Sequence, residues 1–204
     1  MNTKEKIMDE ALTLFAQKGY GDVYVGEIAE AVGIKAPSLY KHFKGKKEIF
    51  DAIIEEIRGR YTAQASSIGI DGNDNAVDAS IYMNISEEMF IKIGTDLFLY
   101  FLHDGYMNRF RKVLTLEQFR NPELAELYTR QFFSDPIEYQ AGIFTLLMGA
   151  GKIKKADPKT LAIQFYSPIY TLLTVCDRNP KMEPQALKMI KEHIRLFNSN
   201  FREV

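Results

Sequence analysis

The chain has 204 residues, 46% of them hydrophobic, with 26 Lys and Arg against 27 Asp and Glu and a net charge of −1. This composition excludes wholesale disorder and provides a core for one medium domain or two small ones, and its balanced charge means that any polyanionic partner must be met by local rather than overall charge. The single cysteine, Cys176, excludes an intrachain disulfide and a cysteine-built zinc site, and no apolar stretch has the form of a signal peptide or a membrane span, so a cytoplasmic protein with no membrane contact is expected.

Helical periodicity dominates, with no strand pattern and no repeat. The first helix is expected over 3–18, with Ile7, Ala11, Leu14 and Phe15 inward, Thr3 as its N-cap and Gly19 as its stop. A second runs over 25–32 and ends at Gly33, a third over 37–43 with Pro37 in its first turn, and a fourth over 46–61 with Ile49, Phe50, Ile53, Ile54 and Ile57 inward. Residues 65–83 are rich in turn formers, among them Asp71-Gly72-Asn73-Asp74-Asn75, and read as a boundary or an irregular connection. Further helices are expected over 84–104, 107–120, 122–133, 136–150, 158–178 and 184–201. Pro122, Pro136, Pro158 and Pro184 mark starts, Asp157 is a cap, and Pro168 should kink or break its segment. The fold class is therefore all-α, with about nine to ten helices in two domains, 1–61 and 62–204.

The stretch from Ile28 to Phe43 carries the chemistry. Ala29 is small enough for two helices to cross closely, and Gly33 can take the positive φ of a tight turn. Ile28, Ile34, Leu39 and Phe43 then supply a shared core, which leaves Lys35, Pro37, Ser38, Tyr40, Lys41 and His42 outward. Between Glu30 and Glu48 there is no acid, and the interval holds Lys35, Lys41, Lys44, Lys46 and Lys47. A lysine-fringed edge of that kind suits the phosphates of duplex DNA, helped by free N–H groups at the starts of the second and fourth helices. A solvated lysine edge is the alternative. The glycine turn, the close crossing and the exposed Ser-x-Tyr-Lys-His face together favour DNA binding by a helix-turn-helix at about 24–43.

Three motifs carry a family resemblance: Ala11-Leu12-x-Leu14-Phe15-Ala16-x-x-Gly19-Tyr20, then Ile28-Ala29 with Gly33-Ile34, then Ser38-Leu39-Tyr40-x-His42-Phe43-Lys44-x-Lys46-x-x-Ile49-Phe50. In their order and spacing, residues 3–57 resemble the tetracycline-repressor (TetR) family of bacterial regulators. The sequence departs from that family where Val23-Tyr24-Val25-Gly26 replaces the usual Ser or Thr at the start of the second helix. The resemblance implies a major-groove third helix, with Thr3, Tyr24, Lys35, Ala36, Pro37, Ser38, Tyr40, Lys41, His42 and Lys46 toward DNA. Lys41 could reach a guanine edge, and Lys46 should meet phosphate, so that its loss lowers the salt slope by about one. It also implies a homodimer on a near-palindromic operator, heads ~34–36 Å apart or more.

In the same terms, the last two helices would form the dimer seam through Leu161, Phe165, Ile169, Leu172, Leu187, Ile190, Ile194 and Phe197; the alternative is that these residues close the chain's own core. The resemblance further implies a small, largely apolar effector, in a cavity lined by aromatic and polar groups among Phe98, Phe101, His103, Tyr106, Phe110, Phe119, Tyr128, Phe132 and Tyr166. An enzyme is not expected: His42, His103 and His193 lack metal-ligand spacing, Cys176 has no nearby histidine, and no phosphate-cradling loop or nucleophile elbow is present. No metal or cofactor is expected. An activator or a ligand-independent regulator on the same fold, or a protein-only helical adaptor, remain the other readings; the last leaves the basic third helix unexplained.

Overall fold

The computed structural model describes residues 2–202. Among them are eleven α-helices, one π-helical turn and one short 3₁₀ turn, in the order α1 Thr3–Lys18, α2 Val25–Val32, α3 Ala36–Leu39, α4 Lys46–Ser67, α5 Asn75–Tyr82, α6 Glu87–His103, α7 Gly105–Glu117, α8 Pro122–Thr129, the π turn Arg130–Ser134, α9 Asp135–Gly149, α10 Pro158–Arg178, the 3₁₀ turn Pro180–Met182 and α11 Glu183–Phe201. No strand occurs among the described residues beyond an isolated bridge between Ile153 and Arg202. No described helix is long and apolar enough to cross a membrane.

The helices divide into two compact units. One comprises the chain up to Arg60 together with Gly105–Tyr128, and the other comprises Tyr61–Asp104 together with the chain from Thr129 onward. The expected division into 1–61 and 62–204 is thus incomplete. α7 and most of α8 belong with α1–α3 and the first part of α4, because α1 packs on α7 through buried side chains of both helices.

In the first unit, the cap of α1 lies one residue before the expected one. Asn2, not Thr3, closes the helix: its Oδ1 accepts from the Glu5 N–H at 2.9 Å, and Glu5 accepts from the Asn2 N–H at 2.8 Å, a reciprocal box that satisfies two orphan donors. Ile7, Met8, Ala11, Leu12 and Phe15 face the core. Gly33 ends α2 in the left-handed region at φ 79°, where a side chain would be strained, and this tight turn sends the chain into α3. α3 is shorter than expected. It ends at Leu39, and residues 40–43 turn through the bonds from the His42 and Phe43 N–H groups to the Leu39 carbonyl. The core includes Ile28, Ala29, Leu39, Phe43, Ile49, Phe50 and Ile53, all at most 4% exposed. A run of rings carries it onto α7: Phe15 and Tyr20 lie 5.1 Å apart, Tyr20 and Phe50 5.1 Å, and Phe50 and Phe110 6.1 Å.

The second unit is a bundle in which α9 packs on α5 and α10, and α11 on α6 and α10. Residues 65–83 are not the irregular connection expected. α4 continues to Ser67, and the turn formers cap a further helix, with Asp74 accepting from the Ala76 and Val77 N–H groups. Fully buried Asp78 fixes this corner. Its carboxylate accepts from the Asp71 N–H at 2.7 Å, from the Gly72 N–H at 2.9 Å and from the Tyr139 hydroxyl. Burial and the nearby Asp78 charge push the Tyr61 hydroxyl up to about 12 and raise those of Tyr82 and Tyr139 further, so all three hydroxyls stay neutral. The segments expected at 122–133 and 136–150 are joined through the π turn rather than separated by a loop. α10 runs unbroken through Pro168, and Asp157 caps it by accepting from the Thr160 N–H at 2.7 Å.

Candidate nucleic-acid interface

The buried undersides of α2, α3 and the start of α4 leave one side of the head uncovered. Lys35, Pro37, Tyr40, Lys41, His42 and Lys44 are exposed there, and Ala36 and Ser38 are half-buried. Among the described residues the side chains of Lys35, Lys41 and Lys44 meet no acceptor and no carboxylate, so their charge is free for another molecule. Two aromatics stand out into solvent beside them, Tyr24 at 73% and Tyr40 at 54%. Exposure of Tyr24 follows from its place at the N-cap of α2. Its side chain makes no cap bond, and the α2 entrance is held instead by Glu27, which accepts from the Tyr24 N–H at 2.8 Å and pairs with Lys18 at 2.6 Å. Thr3 is exposed in the first turn of α1, and Lys4, not expected at this face, lies 5.3 Å over the Phe43 ring.

Lys46 has a different position from the one expected. Its ammonium donates to the carbonyls of Tyr20 at 2.6 Å, Val23 at 2.9 Å and Gly21 at 3.2 Å, and it lies 4.5 Å over the Tyr20 ring. All three donors are spent on the α1–α2 loop. Burial lowers its pKa, against the pull of Glu117, Asp22 and Glu27. Glu117 of α7 supports the same loop from its own side. This carboxylate is 3% exposed and accepts from the Gly21 N–H at 3.3 Å. Gly19 has φ 92°, and a Cβ there would sit 2.7 Å from Glu117 Oε1, so only glycine allows this approach. Arg109 adds bonds from α7 to Asp9 at 2.6 Å and Thr13 at 2.5 Å on α1. Neither Glu117 nor Arg109 can be recognised from local sequence, since their partners lie about a hundred residues away.

Lys46 therefore behaves as a structural clamp. Lys46→Met, which strands the carbonyls of Tyr20, Gly21 and Val23, is expected to lower the stability of the unit by about 1–3 kcal/mol in thermal unfolding. Unchanged stability together with a salt slope lowered by one would return Lys46 to phosphate binding.

The nine residues expected around an effector are shared between the two units. Tyr106, Phe110, Phe119 and Tyr128 fall in the first unit, whereas Phe98, Phe101, His103, Phe132 and Tyr166 fall in the second. Phe119 is 92% exposed and Phe110 is core, and His103 is engaged with Glu183 at 3.1 Å. The second unit contains a cleft of about 50 Å³ formed by other residues, among them Phe90, Ile143, Phe144 and Phe197. The expected dimer seam is also corrected. Leu161, Phe165, Leu172, Ile190, Ile194 and Phe197 are at most 9% exposed within the single chain, and Ile169 and Leu187 are half-buried, so this stripe closes the chain's own core. Apolar side chains do reach solvent elsewhere on the same two helices: Ile163 at 48%, Met189 at 44% and Leu196 at 60%.

A tight two-helix turn whose exit helix is left bare and cationic defines a helix-turn-helix protein. Residues 7–53 match the family "Bacterial regulatory proteins, tetR family". Over 52 residues it is 46% identical to the HTH-type negative transcriptional regulator IcaR of the icaADBC biofilm operon in Staphylococcus aureus, a match that spans 26% of this chain and 28% of that protein. Along almost its whole length the chain has the fold of two solved repressor structures. The SmeT–triclosan complex, SmeT being the repressor of the Stenotrophomonas maltophilia efflux pump SmeDEF, has a TM-score of 0.68 at 20% identity and covers 100% of this chain and 93% of that one. MexZ of Pseudomonas aeruginosa has a TM-score of 0.69 at 17% identity, covering 96% and 94%.

Proposed function

We propose that the protein is a transcriptional regulator of the TetR type, a homodimer that binds a near-palindromic operator and represses until a small, largely apolar effector releases it. The observation that carries this reading is the α3 side of the head, where Lys35, Lys41 and Lys44 stand exposed over a fully packed core. Phosphate and groove contact needs free cations on a rigid support. By this reading Lys41 approaches base edges, Tyr24, Tyr40 and His42 touch backbone, and Lys44 and Lys4 replace Lys46 at phosphate. Repression is favoured by IcaR, a negative regulator, and by SmeT and MexZ, both repressors. An effector is favoured by the triclosan complex of SmeT. Selection of bound sequences from random duplex DNA tests the reading. It should enrich one motif made of two inverted half-sites, and failure to enrich any sequence at low salt overturns it.

The dimer seam is assigned to Ile163, Met189 and Leu196 instead of the buried stripe. Met189 and Leu196 lie seven residues apart on α11 and so share a face. Leu196→Glu, an exposed position, is expected to leave the helix content unchanged and to convert a dimer to a monomer in sedimentation at micromolar concentration. A variant that stays dimeric removes this face from the seam.

A further inference from the structure

The cleft in the second unit has a chemistry of its own. Its walls are apolar and stiff: Phe90 stacks on Phe165 at 5.7 Å, Tyr82 meets Phe90 edge-on at 5.4 Å, and Phe144 stacks on Phe197 at 5.3 Å. Its rim carries two cations, Lys152 and Arg202, and the amide of Gln140. The rim is built rather than incidental. Ile153 bridges to Arg202, the Lys154 N–H donates to the Phe201 carbonyl at 2.7 Å, and the Arg202 guanidinium donates to the Ile85 carbonyl at 3.1 Å. These bonds fix the end of α11 against the segment after α9. The Lys152 N–H donates to the Leu147 carbonyl at 2.9 Å, while its side chain makes no ion pair or hydrogen bond among the described residues, and Arg202 pairs with no carboxylate among them. Asn198, in the lining, donates its side-chain amide to the Glu87 carboxylate at 3.3 Å.

We infer that this cleft binds a small apolar molecule with one anionic head: the aromatic walls take the hydrocarbon body, and Lys152 and Arg202 take the charge. The size sets the class. A water needs roughly 10–15 Å³ of such space and a cavity that encloses benzene is about 150 Å³, so a cleft of about 50 Å³ accepts a few carbons or one edge of a small ring whose remainder lies at the open mouth, not a drug-sized polycycle. The head matters because an apolar body that small gains little by burial alone, whereas a charge-assisted bond to Arg or Lys fixes its orientation. This inference rests on the effector reading above and names the ligand class for it.

Ile85, Ile143, Ile153 and Met83 line the cleft and supply methyl reporters. The full chain with labelled methyl groups is titrated with benzoate, phenyl phosphate and the neutral isostere benzamide at low ionic strength, and DNA binding is measured separately by anisotropy. The expected result is saturable shifts confined to these methyls, with benzoate or phenyl phosphate at least ten-fold tighter than benzamide. Preference between the two anions tells a carboxylate site from a phosphate site. Lys152→Gln with Arg202→Gln should erase the difference between benzoate and benzamide while leaving the shifts in place, a result that misfolding could not mimic. No saturable shift, equal affinity for charged and neutral probes, or shifts only at distant methyls overturns the site. Loss of the regulator reading would show instead as absent DNA binding with the methyl titration intact.

Discussion

Replacing Phe110 by alanine is expected to destabilise the unit that bears the DNA-reading head by about 3–5 kcal/mol, the range for removing a fully buried phenylalanine. Phe110 belongs to α7 and is 1% exposed, and its ring lies 6.1 Å from Phe50, which contacts Phe15 and Tyr20 in turn. The residue is distant in sequence from the helix-turn-helix, yet its ring finishes the same core. A loss of this size is a large share of the total stability of a small unit. Thermal unfolding and DNA binding should therefore fall together. A chain cut after residue 61 loses this ring together with the Arg109 and Glu117 contacts, and should be less stable than the same residues in the whole protein. A Phe110→Ala protein within 1 kcal/mol of the parent would show that the head is complete without α7.

The second large effect is electrostatic. Lys35→Glu combined with Lys41→Glu is expected to weaken binding to the selected operator by roughly 30-fold to 10⁴-fold, from two groove or phosphate contacts at about 1–3 kcal/mol each. The salt slope should fall as well, because fewer counterions are released. Stability should stay within about 0.5 kcal/mol, since both side chains are exposed and no described partner holds them. The paired outcome separates a contact residue from a structural one: these lysines alter affinity alone, whereas Lys46 alters stability first. Unchanged operator affinity would remove α3 from the interface.

Local features were readable from the sequence and distant ones were not. The bounds of α1, α2 and α10 follow from caps, glycine stops and proline starts that act within a few residues: Gly33 after Val32, Asp157 before Pro158. The uncovered face of α3 was legible for the same reason, because core and surface alternate within one short turn. α5 was missed because the Asp71–Asn75 cluster reads as a loop, although Asp74 is the N-cap of a helix. Pro168 was expected to interrupt α10 and does not. The dimer stripe shows a deeper limit. Apolar periodicity finds the buried face of a helix but does not say whether the covering surface comes from the same chain or from another, and Ile190 and Ile194 prove to be covered from within. Lys46 was legible as a cation near the DNA face, but its carbonyl partners at Tyr20, Gly21 and Val23 depend on how the α1–α2 loop folds back.

Lysine acylation read by mass spectrometry, with and without the selected duplex, tests most directly whether DNA meets the α3 edge. Lys35, Lys41 and Lys44 should react readily in the free protein and be protected by DNA, while Lys46 should be slow in both states and Lys152 should be indifferent. Equal labelling of Lys35, Lys41 and Lys44 in the presence of saturating duplex would contradict the account.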